Sequence, residues 1–223
     1  LFLPPDSRHS KNGHLLSKSR FLFIAEFPHL FDQRLVAEMR GYSDKDGISP
    51  FWEGLGKHFF SIDFTTADKT SSVDKAFIAE LMPKYPIYLP MLPDAARAVI
   101  GRVHENTAPA LKMLQAEGFN FNGMVDIFDG GPAVEAFIHS IRTVREGINR
   151  HVMIRKKPLV TDVPAEQQVM ISNRSFRDFR VTTIPAECIG LDTVSIPADV
   201  AEALEVESGD LVRLAPLKDT GRR

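Results

Sequence analysis

The sequence predicts an α+β protein in two parts, and three features carry that prediction. The apolar opening Leu1-Phe2-Leu3 runs through a polar turn into a helix with an apolar face at Leu15, Leu16, Phe21 and Leu22. Capped helices then alternate with short strands through the first two thirds of the chain. Beyond Arg155-Lys156-Lys157-Pro158 the composition changes to short strand candidates with one short helix, the pattern of a small β-barrel or sandwich. The expected division is 1–157 and 158–223.

Each element has a local reason. The first helix runs to about Phe27, where Pro28 stops it, and Leu35 to Gly41 reads as a short strand ended by glycine. Ser49-Pro50 opens a second helix, with serine at the cap and proline at its first position, and Phe51, Trp52, Leu55, Phe59 and Phe60 give it an apolar face. Ser61 to Phe64 reads as a strand, Ala67 to Asp74 as a polar connection, and Ala76 to Met82 as helix or strand. Four prolines from Pro83 to Pro93 forbid a long regular element there. Asp94 caps a helix to Gly101. Asn106 or Thr107 caps the next, which ends at Gly118-Phe119, and Met124 to Asp129 reads as a half-buried strand turning at Gly130-Gly131-Pro132. Val134 to Arg145 is ambiguous. The late strands are expected at 167–172, 178–184, 191–196 and 210–215, with a helix from Pro197.

Composition sets the bounds. The 223 residues are 43% hydrophobic and 25% charged, an ordinary globular balance, and no run of apolar residues approaches a membrane span. Cys188 is the only cysteine, so no internal disulfide can form, and a reducing cytoplasm is the expected setting. Net charge is −2, and residues 151–223 hold 10 basic and 11 acidic side chains, which disfavours a nucleic-acid partner. The apolar strand at Leu1 needs neighbours on both sides, so further chain is expected before it or beside it.

Chemistry-bearing patterns are few. The 7 histidines lack metal-ligand spacing, and no nucleophile elbow or Walker sequence occurs, so neither a metal nor a permanently bound cofactor is expected. The stretch Arg8 to Gly13 precedes a helix, whose first amides and dipole favour an anion such as phosphate. Arg8, Lys11, Lys18 and Arg20 against the single acid Asp6 add to that reading; an ordinary turn with a solvated basic helix is the plain alternative. His104 lies in a loop before a helix start, where a neutral imidazole able to accept a proton is favoured; a ring that only caps or packs is the plain alternative. Glu38, Asp126 and Asp129 sit on or beside strands, where carboxylates could meet a cation.

These residues also carry a family resemblance. Leu3-Pro4-Pro5-Asp6-Ser7-Arg8 through Gly13-His14-Leu15-Leu16 resembles the acyl-CoA pyrophosphate motif of the GNAT superfamily of N-acyltransferases. Val36-Ala37-Glu38-Met39-Arg40-Gly41, Ser49-Pro50-Phe51-Trp52, Ala76 to Lys84 and Asp126-Ile127-Phe128-Asp129-Gly130-Gly131-Pro132 are similar to bacterial arginine N-succinyltransferases. The resemblance implies a GNAT-like mixed sheet flanked by helices, its N-terminal part absent from this chain, followed by a small C-terminal β-barrel. It implies transfer of the succinyl group of succinyl-CoA to L-arginine or L-ornithine in arginine catabolism. His104 would be the proton-transfer residue, and Leu1, Leu3, Arg8, Lys11, Asn12 and Gly13 would hold the CoA. By charge complementarity, Arg40 or another basic residue could pair with the succinyl carboxylate. Asp126 or Asp129 could pair in the same way with the acceptor's guanidinium, and Glu38 is a further candidate substrate-binding carboxylate. The resemblance further implies a homo- or hetero-oligomer completed by an N-terminal segment or companion chain, with no nucleic-acid or membrane partner.

Two other readings compete. Thr193 to Val200 with Ser208 to Val212 looks like the barrel hairpin of some bacterial DNA-binding regulators, although the near-neutral charge argues against phosphate contacts. The chain could also be a noncatalytic paralogous subunit.

Overall fold

The structure, a computed structural model, describes residues 3–9, 11–59, 83–156 and 163–218. In chain order its principal elements are α1 (Asn12–Glu26), β1 (Arg34–Glu38), α2 (Pro50–Gly54), α3 (Asp94–Arg97), α4 (Ala108–Ala116), β2 (Asn120–Val125), β3 (Pro132–Phe137), α5 (Arg142–Arg145), β4 (Ile148–Arg155), β5 (Gln168–Ser172), β6 (Val181–Pro185), β7 (Thr193–Pro197), α6 (Ala198–Leu204) and β8 (Leu211–Pro216). The α+β class expected from sequence is realised. The chain forms two compact units, one of Leu1–Leu35, Ala116–Gly118 and Phe137–Arg223, the other of Val36–Gln115 and Phe119–Ala136. Leu1, the strand expected at 61–64, the connection 67–74 and the segment 76–82 lie outside the described residues.

The first unit is built on a five-stranded sheet, ordered β6-β5-β8-β4-β7, with β4 and β7 parallel and the other pairs antiparallel. Alternation along β5 explains why both its faces are apolar. Val169 and Ile171 join Val152, Ile184, Val194, Ile196, Val212 and Leu214 in a core that Ala201 and Leu204 of α6 close, while Met170 packs with Leu22, Ala215 and Leu217 on the other side. All four late strands predicted from sequence are present within a few residues. The sheet takes a fifth strand, β4, from before the expected boundary at 157/158, and among the described residues β6 and β7 are its edges, so what is described is a mixed sheet rather than a closed barrel.

A charged cluster fastens α1 to this unit. Glu117 is 1% exposed; its Oε1 accepts from Arg142 Nη2 at 2.6 Å and lies 2.9 Å from Lys18 Nζ, and its Oε2 accepts the Thr143 amide at 2.8 Å. Lys18 also donates to the Leu217 carbonyl at 2.8 Å. Lys18 is therefore part of a buried ion cluster and not of the solvated basic face considered for α1. Burial pushes the Glu117 carboxyl up, but Arg142 and Lys18 outweigh it and hold the group below its ordinary range.

The second unit holds most of a three-stranded sheet, β1-β3-β2. Ser49 caps α2 by accepting the Trp52 amide, as the sequence predicts, and buries Phe51 and Trp52. The strand expected at 124–129 forms earlier, as β2, and ends at Val125. The reason is Asp126, whose Oδ1 accepts the amides of Phe128 and Asp129 at 2.7 and 3.3 Å and bends the chain into a turn that Gly130 completes at φ 68°.

Candidate functional site

In the second unit the backbone beyond β1 meets the His104 segment through an antiparallel bridge between Gly41 and Val103. Antiparallel pairing then sets Arg40 opposite His104 and Tyr42 opposite Arg102. The hydrogen bonds agree: His104 donates its amide to the Arg40 carbonyl at 2.9 Å, and Tyr42 donates to the Arg102 carbonyl at 3.0 Å. Side chains alternate across such a ribbon, so Arg40, Tyr42, Arg102 and His104 share one face, while Met39 and Gly41 turn inward and are buried. Glu38, with the same parity, is exposed.

The turn after β2 holds the back of this ribbon. Asp129 Oδ2 accepts the Gly41 amide at 2.6 Å and its Oδ1 accepts the Gly131 amide at 2.8 Å. Met39 donates to the Pro132 carbonyl at 3.1 Å and Gly101 to the Gly130 carbonyl at 2.8 Å. The approach is close enough to require glycine: a Cβ on Gly131 would stand 2.5 Å from the Gly41 nitrogen, and one on Gly41 2.6 Å from the Gly131 nitrogen. Asp129, expected to meet a substrate cation, thus has both oxygens engaged by main-chain amides. Asp126 is different, since its Oδ1 serves the turn while burial, with the Asp129 and Glu38 charges, raises its carboxyl pKa against the pull of the Phe128 amide.

His104 Nδ1 accepts the Asn106 amide at 3.1 Å. With Nδ1 unprotonated, the neutral ring carries its hydrogen on Nε2, which becomes a donor. The ring caps its turn, as the plain alternative held, yet one nitrogen stays available. The structure therefore sets His104 beside Arg40 on the open face and Asp129 behind the same ribbon, with Asp126 close enough to Glu38 and Asp129 to feel their charges. Sequence reasoning passed over Arg102 and Tyr42, although the alternation Arg102-Val103-His104 carried the signal. Arg102 lies over the Tyr42 ring, its Cζ 4.1 Å from the centroid.

The expected anion loop belongs to the other unit. Lys11 adopts a left-handed conformation (φ 65°) immediately before α1. Arg8 Nε donates to the Leu3 carbonyl at 3.0 Å and Asn12 Nδ2 to the Ser7 carbonyl at 3.1 Å, so both side chains brace the loop. Nothing lies within 4 Å of a Cβ built on Gly13, leaving space in front of the first turn of α1. His14 Nδ1 is buried there without a hydrogen bond, and burial with Lys18, Lys218 and Lys11 lowers its pKa.

A cavity of about 660 Å³ opens instead on the C-terminal sheet, lined by Ile148, Val169, Leu214, Glu146 and Glu166 among others. None of the sequence-predicted residues lines it, and its two carboxylates are paired with Arg142 and Lys218. Among the described residues no group of three or more histidines, cysteines or carboxylates could hold a metal ion, and no helix is long and apolar enough to cross a membrane.

Comparison with known proteins agrees with this α+β architecture. A family model described as arginine N-succinyltransferase beta subunit matches residues 1–143, and the model of that subunit's C-terminal domain matches 150–216. This chain belongs to that family. It is 50% identical over 220 residues to the arginine N-succinyltransferase subunit beta of Pseudomonas aeruginosa, covering 97% of this chain and 62% of the relative. It is 46% identical to the Escherichia coli arginine N-succinyltransferase, covering 97% and 62%. The solved structure of arginine/ornithine succinyltransferase subunit AI from Pseudomonas aeruginosa matches with a TM-score of 0.84 at 32% identity, over 98% of this chain and 61% of that one. The chain thus spans a little over three fifths of the length of its relatives.

Proposed function

We propose that this chain supplies the catalytic part of an arginine N-succinyltransferase acting in arginine catabolism in the cytoplasm. The reaction passes the succinyl group of succinyl-CoA to the α-amine of L-arginine, giving N2-succinyl-L-arginine and CoA. L-Ornithine is the second acceptor, because the solved relative is named for both amino acids. The observation that best supports this reading is the open ribbon face. Arg40, Arg102 and His104 stand there, with Glu38 on the same strand edge and Asp126 near it. An anionic acyl donor and an acceptor with two cationic groups and a carboxylate need both signs of charge in one site.

In this reading the β1-β3-β2 sheet is part of a GNAT-like sheet, completed by the remaining length of the protein or by a companion chain. The name "subunit beta" of the Pseudomonas relative supports an assembly. CoA is a co-substrate rather than a resident group. Arg8, Lys11, Asn12 and Gly13 receive its pyrophosphate while the stretch of Leu1 and Leu3 aligns the thioester, and the open space at Gly13 suits the pyrophosphate role.

The acceptor arrives as an ammonium. Asp126, with its raised proton affinity, takes one proton; the freed amine attacks the thioester carbonyl carbon, the C–N bond forms and the C–S bond breaks. The second nitrogen proton passes through water to the departing thiolate. His104 contributes through Nε2–H, donating to the carbonyl oxygen as its negative charge develops. Taking the proton itself, the role implied by resemblance, would require His104 to release the Asn106 amide.

The test is turnover of succinyl-CoA with arginine and with ornithine by the full-length protein, followed by thiol release and product mass. Succinylated arginine supports the reading; absence of succinylated product with both amino acids overturns it.

A further inference from the structure

The catalytic reading leaves open what distinguishes a succinyl donor from a neutral acyl-CoA. We infer that Arg102, held over the Tyr42 ring, receives the terminal carboxylate of the acyl group and so selects a dicarboxylic donor. This rests on the succinyl-transfer reading and assigns one of its recognition contacts.

With its Cζ 4.1 Å from the Tyr42 centroid, the guanidinium is held by a cation–π contact that consumes none of its five N–H donors in a conventional hydrogen bond. Arg102 is exposed, and none of the ion pairs among the described residues includes it. Its main chain is fixed by the Tyr42 amide, so the stem starts from a set point. A planar fork of this kind fits a carboxylate through two parallel hydrogen bonds, which a lysine cannot reproduce.

Position supports the same partner. Arg102 and His104 are two residues apart on one face, a separation of roughly 6–7 Å along an extended chain. A succinyl group has two methylenes between its thioester carbonyl and its carboxylate. With the thioester oxygen at His104 Nε2, the carboxylate falls toward Arg102. Arg40 is the weaker candidate: its Nη2 leans on Ser43 Oγ at 3.4 Å, and it lies beside Glu38, which would repel a carboxylate.

The test compares kcat/KM for succinyl-CoA and for butyryl-CoA, a neutral chain of the same carbon count, in the full-length enzyme. Arg102→Gln is expected to cut the succinyl-to-butyryl preference by about 10–100-fold, and Arg102→Lys by less. Tyr42→Phe, which keeps the ring, should preserve the preference, and Tyr42→Leu should lose much of it. Melting curves on each variant confirm folding. If Arg102→Gln lowers both donors in parallel, or leaves the preference intact, Arg102 is structural and the inference is overturned while succinyl transfer stands. If the wild-type protein turns over succinyl-CoA and butyryl-CoA equally, there is no selection for Arg102 to make and the inference is overturned while succinyl transfer stands; if it forms no succinylated product at all, the succinyl-transfer reading fails first.

Discussion

The C-terminal sheet and the Gly41–Val103 ribbon are held by opposite means. In the sheet, fully buried side chains such as Ile171, Leu214 and Ile196 fill the face that α6 covers, and Met170 and Leu217 fill the other. In the ribbon almost every holding contact is a main-chain amide or carbonyl, backed by Asp129 and two glycines, while the side chains on the open face make few bonds. The sheet spends its side chains on stability. The ribbon keeps its side chains free for chemistry and obtains its geometry from the backbone.

That contrast predicts how each region breaks. Glu117→Ala should give the largest loss, about 3–5 kcal/mol by urea denaturation, because it leaves Lys18 and Arg142 buried without their shared carboxylate. Leu214→Ala, a purely apolar truncation in the same unit, should cost about 2–5 kcal/mol through the cavity it leaves. Neither residue belongs to the ribbon, so folded enzyme should keep its kcat; a large kcat defect in folded protein would show that sheet stability and ribbon chemistry are coupled.

Gly131→Ala should cost less stability, about 1–3 kcal/mol, since its Cβ forces the Met39 and Gly41 backbone apart. Here kcat should fall by more than the stability loss explains, because the ribbon carrying His104 moves. Asp126→Asn is expected to change stability least, within about 1 kcal/mol. The amide oxygen still serves the turn, and a carboxyl with raised pKa is relieved of its charge. Its effect should appear instead in catalysis with the acceptor amine.

The pH dependence separates the regions again. Glu117 has a depressed pKa when folded, so its contribution is fully present at neutral pH and is lost as pH falls below the ordinary carboxylate range. Asp126 has a raised pKa, so its share runs the other way: stability declines as pH rises through that raised value. Unfolding free energy measured against pH should therefore lose its acid dependence in part in Glu117→Gln and gain at neutral pH in Asp126→Asn. The same slopes in both variants as in wild type would contradict the assignment.

Much of the first unit was legible in sequence because apolar side chains dominate it: the α1 pattern and four of its five strands follow from alternation and turn residues. The fifth, β4, was missed because Arg150, His151 and Arg155 interrupt its apolar pattern, and its pairing with β7 and β8 is non-local. In the second unit the capping at Ser49 was readable, but β2 ends early because one side chain, Asp126, captures two amides. Residues of the ribbon were named singly from sequence. Their meeting depends on cross-chain register, which no local pattern encodes, and that register also brings Arg102 and Tyr42 into place.

If the ribbon face performs the acyl transfer, His104→Ala in the full-length enzyme removes the group nearest the chemistry. With succinyl-CoA and arginine both saturating, kcat should fall by about 10²–10³-fold, the range for a lost donor to a developing oxyanion, with folding and CoA affinity preserved. A folded His104→Ala enzyme with nearly wild-type kcat would contradict the account.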